Sequence, residues 1–518
     1  FRQVQEKSNR LAAALANFGV RKGSRVALML PNTPQYVLSY LAVLRLGAIV
    51  VQMNPLYTER EIENILADSE AEAIIALDLF ISRIEAVKPR TKLRMVIWTR
   101  ANEFLSFPLK QLYPLLAKRK NSYPAITPKA YLFNLSDLIN SSHGRPPRVD
   151  INPAEDIAIF QYTGGTTGIP KAAMCTHMNM VANCHQARAI VGDTLIEGQE
   201  RGIGLLPFFH SFGLTTNLNL LIGFGGTMIL CPQPNDFKQV LSLIRKYKPT
   251  LFNGVPTMYI ALLNHPDLAK TDMSSIKVLN SGAAAMPVEV MNQFEAKTGG
   301  RIVEGYGLSE ASPVVTCNPF KGTRKPGSIG IPLPDTIVKI VDMETGTREL
   351  PPGEVGELVV KGPQVMKGYW NRPEETAQVL RDGWLYTGDV AKMDEDGFFY
   401  IVDRKKDMII TGGFNVYPRE VEEVIYEHPK VKEVAVVGVP DEYAGERIKA
   451  VVVPKEGQTL TEDEIRQWCR NKLTGYKVPR IVEFRDELPL TMVGKVLRRV
   501  LKEEAVAEAA KEGTEKGA

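Results

Sequence analysis

The stretch QYTGGTTGIPKAA, from Gln161 to Ala173, decides how this chain is read. Eight of the ten residues from Thr163 to Ala172 are Thr, Gly, Pro or Lys. Ahead of it, Ile157 to Phe160 is an apolar run suited to a buried strand. Behind it, Ala172 to Ile190 can form a helix. A Gly/Thr loop between strand and helix is a place where backbone N–H groups converge on an anion. Gly164, Gly165 and Gly168 let the backbone come close, Thr163, Thr166 and Thr167 add hydroxyl donors, and Lys171 adds a charge. The spacing is not that of a Walker A loop, because Ile169 and Pro170 separate Gly168 from Lys171, and it is not G-x-G-x-x-G. A linker would not join a buried strand to a helix, so the loop is read as a phosphate binder.

Outward from the loop, the 518 residues suggest about three domain-sized units at ~150 residues each. The first eighty alternate. A helix ends at Gly19 and Val26 to Leu30 follows as an apolar run. A second helix, Pro34 to Leu46, precedes Ala48 to Val51. Thr58 with Glu61 forms a capping box ahead of a third helix, and Ala73 to Leu77 is the next strand. Alternating helix and buried strand predicts layered α/β structure. Residues 326–402 carry short alternating strands and the D-G turns Asp382-Gly383 and Asp396-Gly397, which predict a β-rich subdomain. The charge cluster Asp403 to Asp407 then marks a boundary. The expectation is a large domain over 1–403 and a small α+β domain over 404–518, with a second capping box at Thr461 and Glu464 and a frayed helix and loose tail after Leu501.

Composition narrows the function. A net charge of +4 over 63 basic and 59 acidic residues gives no reason to expect nucleic acid. Cys175, Cys184, Cys231, Cys317 and Cys469 are scattered and form no C-x-x-C pair, which reads as reduced thiols of a cytosolic protein with no metal cluster. The chain starts at Phe1 within a helical pattern, and no signal peptide is visible. From Gly202 to Asn235 there is no Asp, Glu, Lys or Arg. Pro207, His210, Asn217 and several glycines interrupt that stretch, so it predicts a buried helix and strand beside an apolar pocket and not a membrane span.

Further motifs follow in order: EGYGLSE (Glu304 to Glu310), WLYTGD (Trp384 to Asp389), IVDRKKDMIITGGFNVYPREVE (Ile401 to Glu422) and LPLTMVGKVLRR (Leu488 to Arg499). Together they resemble the adenylate-forming superfamily of acyl-CoA synthetases, luciferases and peptide-synthetase adenylation domains, across nearly the whole chain. LPFFHSFGL, KGPQVMKGYWNRPEET, VDRKKDMI and GFNVYP look most like bacterial long-chain fatty-acid–CoA ligases. The resemblance implies two half-reactions. A carboxylate attacks the α-phosphate of ATP, giving acyl-adenylate and pyrophosphate, and the thiol of coenzyme A then displaces AMP.

The same resemblance assigns roles. Thr163 to Lys171 would cradle pyrophosphate. Glu310 would ligate Mg²⁺ together with Thr167, and Ser309 stands where the family more often has Thr. Tyr306, between Gly305 and Gly307, would stack on adenine, whose edge would run along Gly282, Ala283 and Ala284. Asp389 and Arg404 would hold the ribose. His210 would lie beside the acyl carboxylate, and Lys495 would serve adenylation. The small domain would rotate about Lys406, bringing Gly412 and Gly413 to the path of coenzyme A.

Fatty acid, ATP, Mg²⁺ and coenzyme A are thus the expected partners, with cytoplasmic location and peripheral contact with the inner face of the membrane. An aryl-carboxylate–CoA ligase, a luciferase-like enzyme and, from another class, a non-catalytic nucleotide sensor are the rival readings.

Overall fold

The computed structural model describes residues 1–119, 123–163, 170–441, 444–491 and 494–516. Four sheets organise them. The first has seven strands in the order Leu132–Asn134, Met95–Thr99, Ala73–Leu77, Arg25–Met29, Ile49–Gln52, Ile157–Thr163, Lys171–Thr176. Every neighbouring pair is parallel except the last. Its central strands are buried on both faces, as in Ala73–Leu77, and so read as unbroken apolar runs. The Thr58 capping box is present in full and fixes the start of the helix Glu59–Ser69.

The opening stretch folds differently from the expectation. Lys171–Thr176 is a strand, antiparallel to Ile157–Thr163, with Thr163 opposite Lys171. The Gly/Thr loop therefore joins two strands of a hairpin, not a strand and a helix. The far edge of Lys171–Thr176 is held as well: Met174 N–H donates to Gly368 O and Trp370 N–H to Ala172 O, each at 2.9 Å. With partners on both sides, these residues gain more from a ladder than from a helical turn. The helix begins at His177, behind Thr176, whose Oγ1 accepts from Asn179 N–H while Asn179 Oδ1 accepts from Thr176 N–H.

The second sheet also has seven strands, in the order Ile331–Pro332, Val314–Cys317, Ile302–Gly307, Val278–Ser281, Leu251–Gly254, Arg201–Gly204, Thr227–Leu230. The uncharged stretch supplies its last strand and the helical segment Ser211–Gly223, which widens into a π turn over Leu214–Asn219. This matches the expected buried helix and strand. No helix among the described residues is long and apolar enough to cross a membrane.

The third sheet is antiparallel and spans Ile337–Val341 to Phe399–Arg404, within and just beyond the expected β-rich region. The fourth opens at Ile409 and contains Val431–Asp441, Gly445–Pro454 and Ile481–Phe484. Around it pack the helices Pro418–Tyr426, Glu462–Arg470 and Arg498–Lys516. The last of these is longer than the expected frayed end. The box at Thr461 is only half formed. Thr461 Oγ1 accepts from Glu464 N–H, but the Glu464 carboxylate takes Lys430 Nζ at 2.8 Å instead of turning back to Thr461. A full charge outbids a backbone amide for the carboxylate.

Four of the five cysteines are buried and Cys184 is half-buried, and none forms a disulfide. Burial pushes the thiols of Cys184, Cys231 and Cys469 up to about 11 and those of Cys175 and Cys317 up to about 12.

Candidate active site

Three sheets meet at one place. Tyr306, at the end of Ile302–Gly307, donates its hydroxyl to Asp389 Oδ2 at 2.5 Å. Asp389 lies on Trp384–Met393, directly across the ladder from Arg404, whose Nε stands 3.4 Å from Asp389 Oδ1. Asp389 N–H donates to Thr387 Oγ1 at 3.1 Å. The Asp389 carboxylate is buried while Arg404 is 40% exposed, so the pair forms a charged wall open on the arginine side.

Glycines shape the wall opposite. A Cβ at Gly282 would sit 3.0 Å from the Phe212 ring and 3.3 Å from Gly305 O, so the two segments are nearly in contact. At Gly307 a Cβ would fall 2.1 Å from Pro313 O. Ala283 holds a positive φ of 67°, which turns the chain at Gly282–Ala284.

Glu310 sits in the short turn Ser309–Ala311. Tyr369 donates its hydroxyl to Glu310 Oε1 at 2.8 Å, and Oε2 has no partner among the described residues. A half-buried carboxylate with one free oxygen suits a hard cation that takes most of its ligands from phosphate and water. No group of three or more ligating side chains occurs among the described residues. Ser309 Oγ lies 3.3 Å from Ser211 Oγ. Lys171 Nζ is 5.5 Å from the Tyr369 ring centre and 3.9 Å from Glu375. Thr163, at the strand end, has its Oγ1 3.5 Å from Lys171 O. Gly164, Gly165, Thr166, Thr167 and Gly168 lie outside the described residues.

Lys495 reaches this place from the fourth-sheet unit. Gly494 before it has φ +68°, and a Cβ there would meet Thr257 Oγ1 at 2.1 Å and Val255 Cγ2 at 3.0 Å. Only hydrogen fits between the turn and its seat. The turn is tied by Lys495 N–H to Thr491 Oγ1 at 3.0 Å and by Thr491 N–H to Lys495 O at 2.8 Å. Burial, then the charge of Arg404, push the Lys495 ammonium down to about 7, against the pull of Asp389.

His210 caps the helical segment behind it, its Nδ1 accepting from Phe212 N–H at 3.3 Å. That bond leaves the imidazole proton on Nε2. Burial and the Lys495 charge push His210 down to about 4, so it is neutral at pH 7.

Sequence reasoning missed several participants. Thr257 and Val255, the seat of Gly494, carry no chemical signature. Tyr369 bonds Glu310 and lies inside the stretch KGPQVMKGYWNRPEET, a signal that could have found it. Arg498 stands beside Arg499 and by charge alone suits a solvated surface. It instead donates to both oxygens of Glu422 at 2.7 Å and stands 3.8 Å from Asp403 and Asp407. The structure brings Tyr306, Asp389, Arg404, His210 and Lys495 to one place. It leaves Lys406 exposed in the turn after Arg404. Gly412 and Gly413 lie at an exposed hairpin tip, φ +56° and +81°, with open space at both Cβ positions.

A wall of charge and donors on one unit, completed by a lysine from another, is an arrangement for binding and activating an anionic substrate. The family model described as AMP-binding enzyme matches residues 1–370, and that described as AMP-binding enzyme C-terminal domain matches 420–495. The chain belongs to the AMP-binding enzyme family. Among curated relatives it is 51% identical to the long-chain-fatty-acid–CoA ligase of Bacillus subtilis (strain 168), over 97% of this chain and 90% of that one. The corresponding ligase of Escherichia coli O6:H1 is 45% identical over 98% of this chain and 90% of its own. Among solved structures, ATP-bound MatB from Rhodopseudomonas palustris superposes with a TM-score of 0.86 at 32% identity, covering 97% of this chain and 93% of that one. The apo form of the same protein, at the same identity and coverage, gives 0.75.

Proposed function

We propose that this chain is an AMP-forming fatty-acid–CoA ligase acting on medium- or long-chain acids. The observation that carries the reading is Lys495, held half-buried beside Asp389, Arg404 and His210 by a turn that belongs to a different unit. A structural lysine has no need of such a seat. The fatty substrate is supported by the 51% relative and by the uncharged stretch, whose Thr216 and Leu220 line a small apolar pocket with Ile190, Leu251 and Phe320.

In the first half-reaction a carboxylate oxygen bonds to the α-phosphorus of ATP and the bond to pyrophosphate breaks. Lys495 neutralises charge on the attacking and α-phosphate oxygens as they approach. Neutral His210 lies beside the carboxylate and does not repel the lysine. Tyr306 packs on adenine while Gly282, Ala283, Ala284, Gly305 and Gly307 give it room, and Asp389 with Arg404 takes the ribose hydroxyls. Thr163 to Lys171 cradles the pyrophosphate, with Ser309 at its margin. Glu310 and Thr167 would hold Mg²⁺, which when bound offsets phosphate charge.

In the second half-reaction the thiol sulfur of coenzyme A bonds to the acyl carbon and the bond to AMP breaks. The small unit, 404–518, turns against 1–403 about Lys406 and brings Gly412 and Gly413 to the thiol path. The enzyme works in the cytoplasm and meets the inner face of the membrane peripherally.

The deciding experiment is pyrophosphate release against acids from acetate to oleate, with and without coenzyme A. Medium- and long-chain acids should give the highest kcat/KM. Aromatic acids ahead of them would favour the aryl-carboxylate rival, light with luciferin the luciferase-like one, and no turnover with any acid a nucleotide sensor.

A further inference from the structure

The first sheet carries, at the edge away from the phosphate loop, an unpartnered apolar row. Between the strands Met95–Thr99 and Leu132–Asn134 the chain forms the helix Leu109–Arg119 and the loop before it. Phe107 is 82% exposed, Leu115 63%, Leu109 56%, Leu112 47% and Leu105 38%. At ~100° per residue, Leu109, Leu112 and Leu115 fall within about 120° of the helix circumference. They make one continuous stripe.

Charge along this segment is one-sided, and Asp78, which acts on Tyr113 of the helix, is already paired with Arg100 at 3.0 Å. From Phe104 to Ser136 there is no Asp or Glu, while Lys110, Lys118, Arg119, Lys120 and Lys129 are all basic. Lys129 is paired with Glu85, but Lys110 and Lys118 are exposed and in no ion pair among the described residues. Exposed leucines and a phenylalanine beside lysines whose charge no acid neutralises among the described residues are the chemistry of a helix lying in a lipid headgroup layer.

We infer that Leu105 to Lys118 is the surface by which this enzyme docks on an anionic bilayer, Phe107 and the leucine stripe entering the headgroup layer and Lys110 and Lys118 contacting lipid phosphates. The inference rests on the proposed peripheral association and gives it an address. A second copy of the chain fits the surface less well. In a two-fold interface the same patch faces itself, and a patch without acids cannot pair its own cations. Five strand spacings of ~4.8 Å separate Leu132–Asn134 from Ile157–Thr163, roughly 24 Å, so docking leaves the strand that ends at Thr163 clear.

The test is co-sedimentation of the full chain with vesicles of phosphatidylglycerol and phosphatidylethanolamine, beside vesicles of phosphatidylcholine alone. The wild type should bind the anionic vesicles and be released by salt. The pair Phe107→Ser with Leu115→Gln should lower partitioning at least tenfold. The pair Lys110→Glu with Lys118→Glu should do the same on anionic vesicles, since each basic residue near such a surface is worth roughly fivefold. Both variants should release pyrophosphate from a soluble medium-chain acid at the wild-type rate, which also shows that they fold. Failure of the wild type to bind, or variants that bind as well as it does, overturns the inference. So does a lipid-free dimer that Phe107→Ser with Leu115→Gln converts to monomer while vesicle binding persists. An enzyme that binds vesicles but turns over no acid would instead overturn the ligase reading alone.

Discussion

Two turns of the same small unit are in opposite situations. The turn that carries Lys495 meets the large unit at Gly494, where no space is left for a methyl group. Gly412 and Gly413 stand at a hairpin tip with open space at both Cβ positions, Gly412 N–H being tied to Ala444 O of the same unit at 2.8 Å. Both turns rely on positive φ, at +68°, +56° and +81°, so both are shaped for close approach, yet only one has something to approach. On the proposed reading, the difference marks the described arrangement as the adenylating half of a two-step cycle. The chain superposes better on ATP-bound than on apo MatB, with TM-scores of 0.86 against 0.75.

The comparison breaks most decisively at Lys495. Lys495→Ala should slow pyrophosphate release by ~10²-fold or more, the scale of losing a charge partner in the transition state. It should leave conversion of supplied acyl-adenylate and coenzyme A within a few-fold of wild type. Loss of both steps together would mean that the two turns do not divide the work.

Next in size is the seat. Gly494→Val should cut adenylation by roughly 30-fold, because an ångström-scale misplacement of the lysine is costly. Adding Thr257→Ala, which removes the atom at 2.1 Å, should restore part of the rate and not all, since the strain at φ +68° remains. Complete rescue, or none, would contradict this account of the seat.

Acidity offers a milder perturbation. Lys495 is pushed down to about 7, so it is charged below that pH and neutral above it. If adenylation needs the cation, kcat/KM for ATP should be level below pH 7 and fall about tenfold per unit above it. His210, pushed down to about 4, adds no limb in this range. A profile flat to pH 9 would remove the cation from the mechanism.

The smallest effect belongs to the exposed turn. Gly413→Ala at φ +81° costs ~1 kcal/mol of left-handed strain, about fivefold. It should appear in thioester formation and not in pyrophosphate release. Equal slowing of both would place Gly413 outside the coenzyme A path.

Much of this was legible beforehand because the signals were local. The Thr58 box, the apolar strand runs and the D-G turns each depend on residues a few positions apart. Asp389 and Arg404, fifteen residues apart in sequence, face each other because a hairpin returns the chain. What could not be read was tertiary. A Gly/Thr loop has the same chemistry at a hairpin tip as before a helix, and only the partners at Gly368 and Trp370 decide for a strand. Thr257 acts through the space it leaves, which no residue type announces. Arg498 looks like a solvated charge until Glu422, Asp403 and Asp407 are folded around it.

The five cysteines bear on the enzyme's own safety. An AMP-forming CoA ligase makes an activated acyl group and handles a thiol at every turnover, so any thiolate of its own would be a competing acceptor. With every thiol pushed up to about 11 or 12, the ionised fraction at pH 7 is on the order of 10⁻⁴ or less. The protein is therefore nearly inert toward its own intermediate and toward mixed disulfides with coenzyme A. Intact-mass spectrometry after prolonged turnover should find the chain unacylated, and a cysteine placed on the exposed hairpin at Phe414 should become labelled.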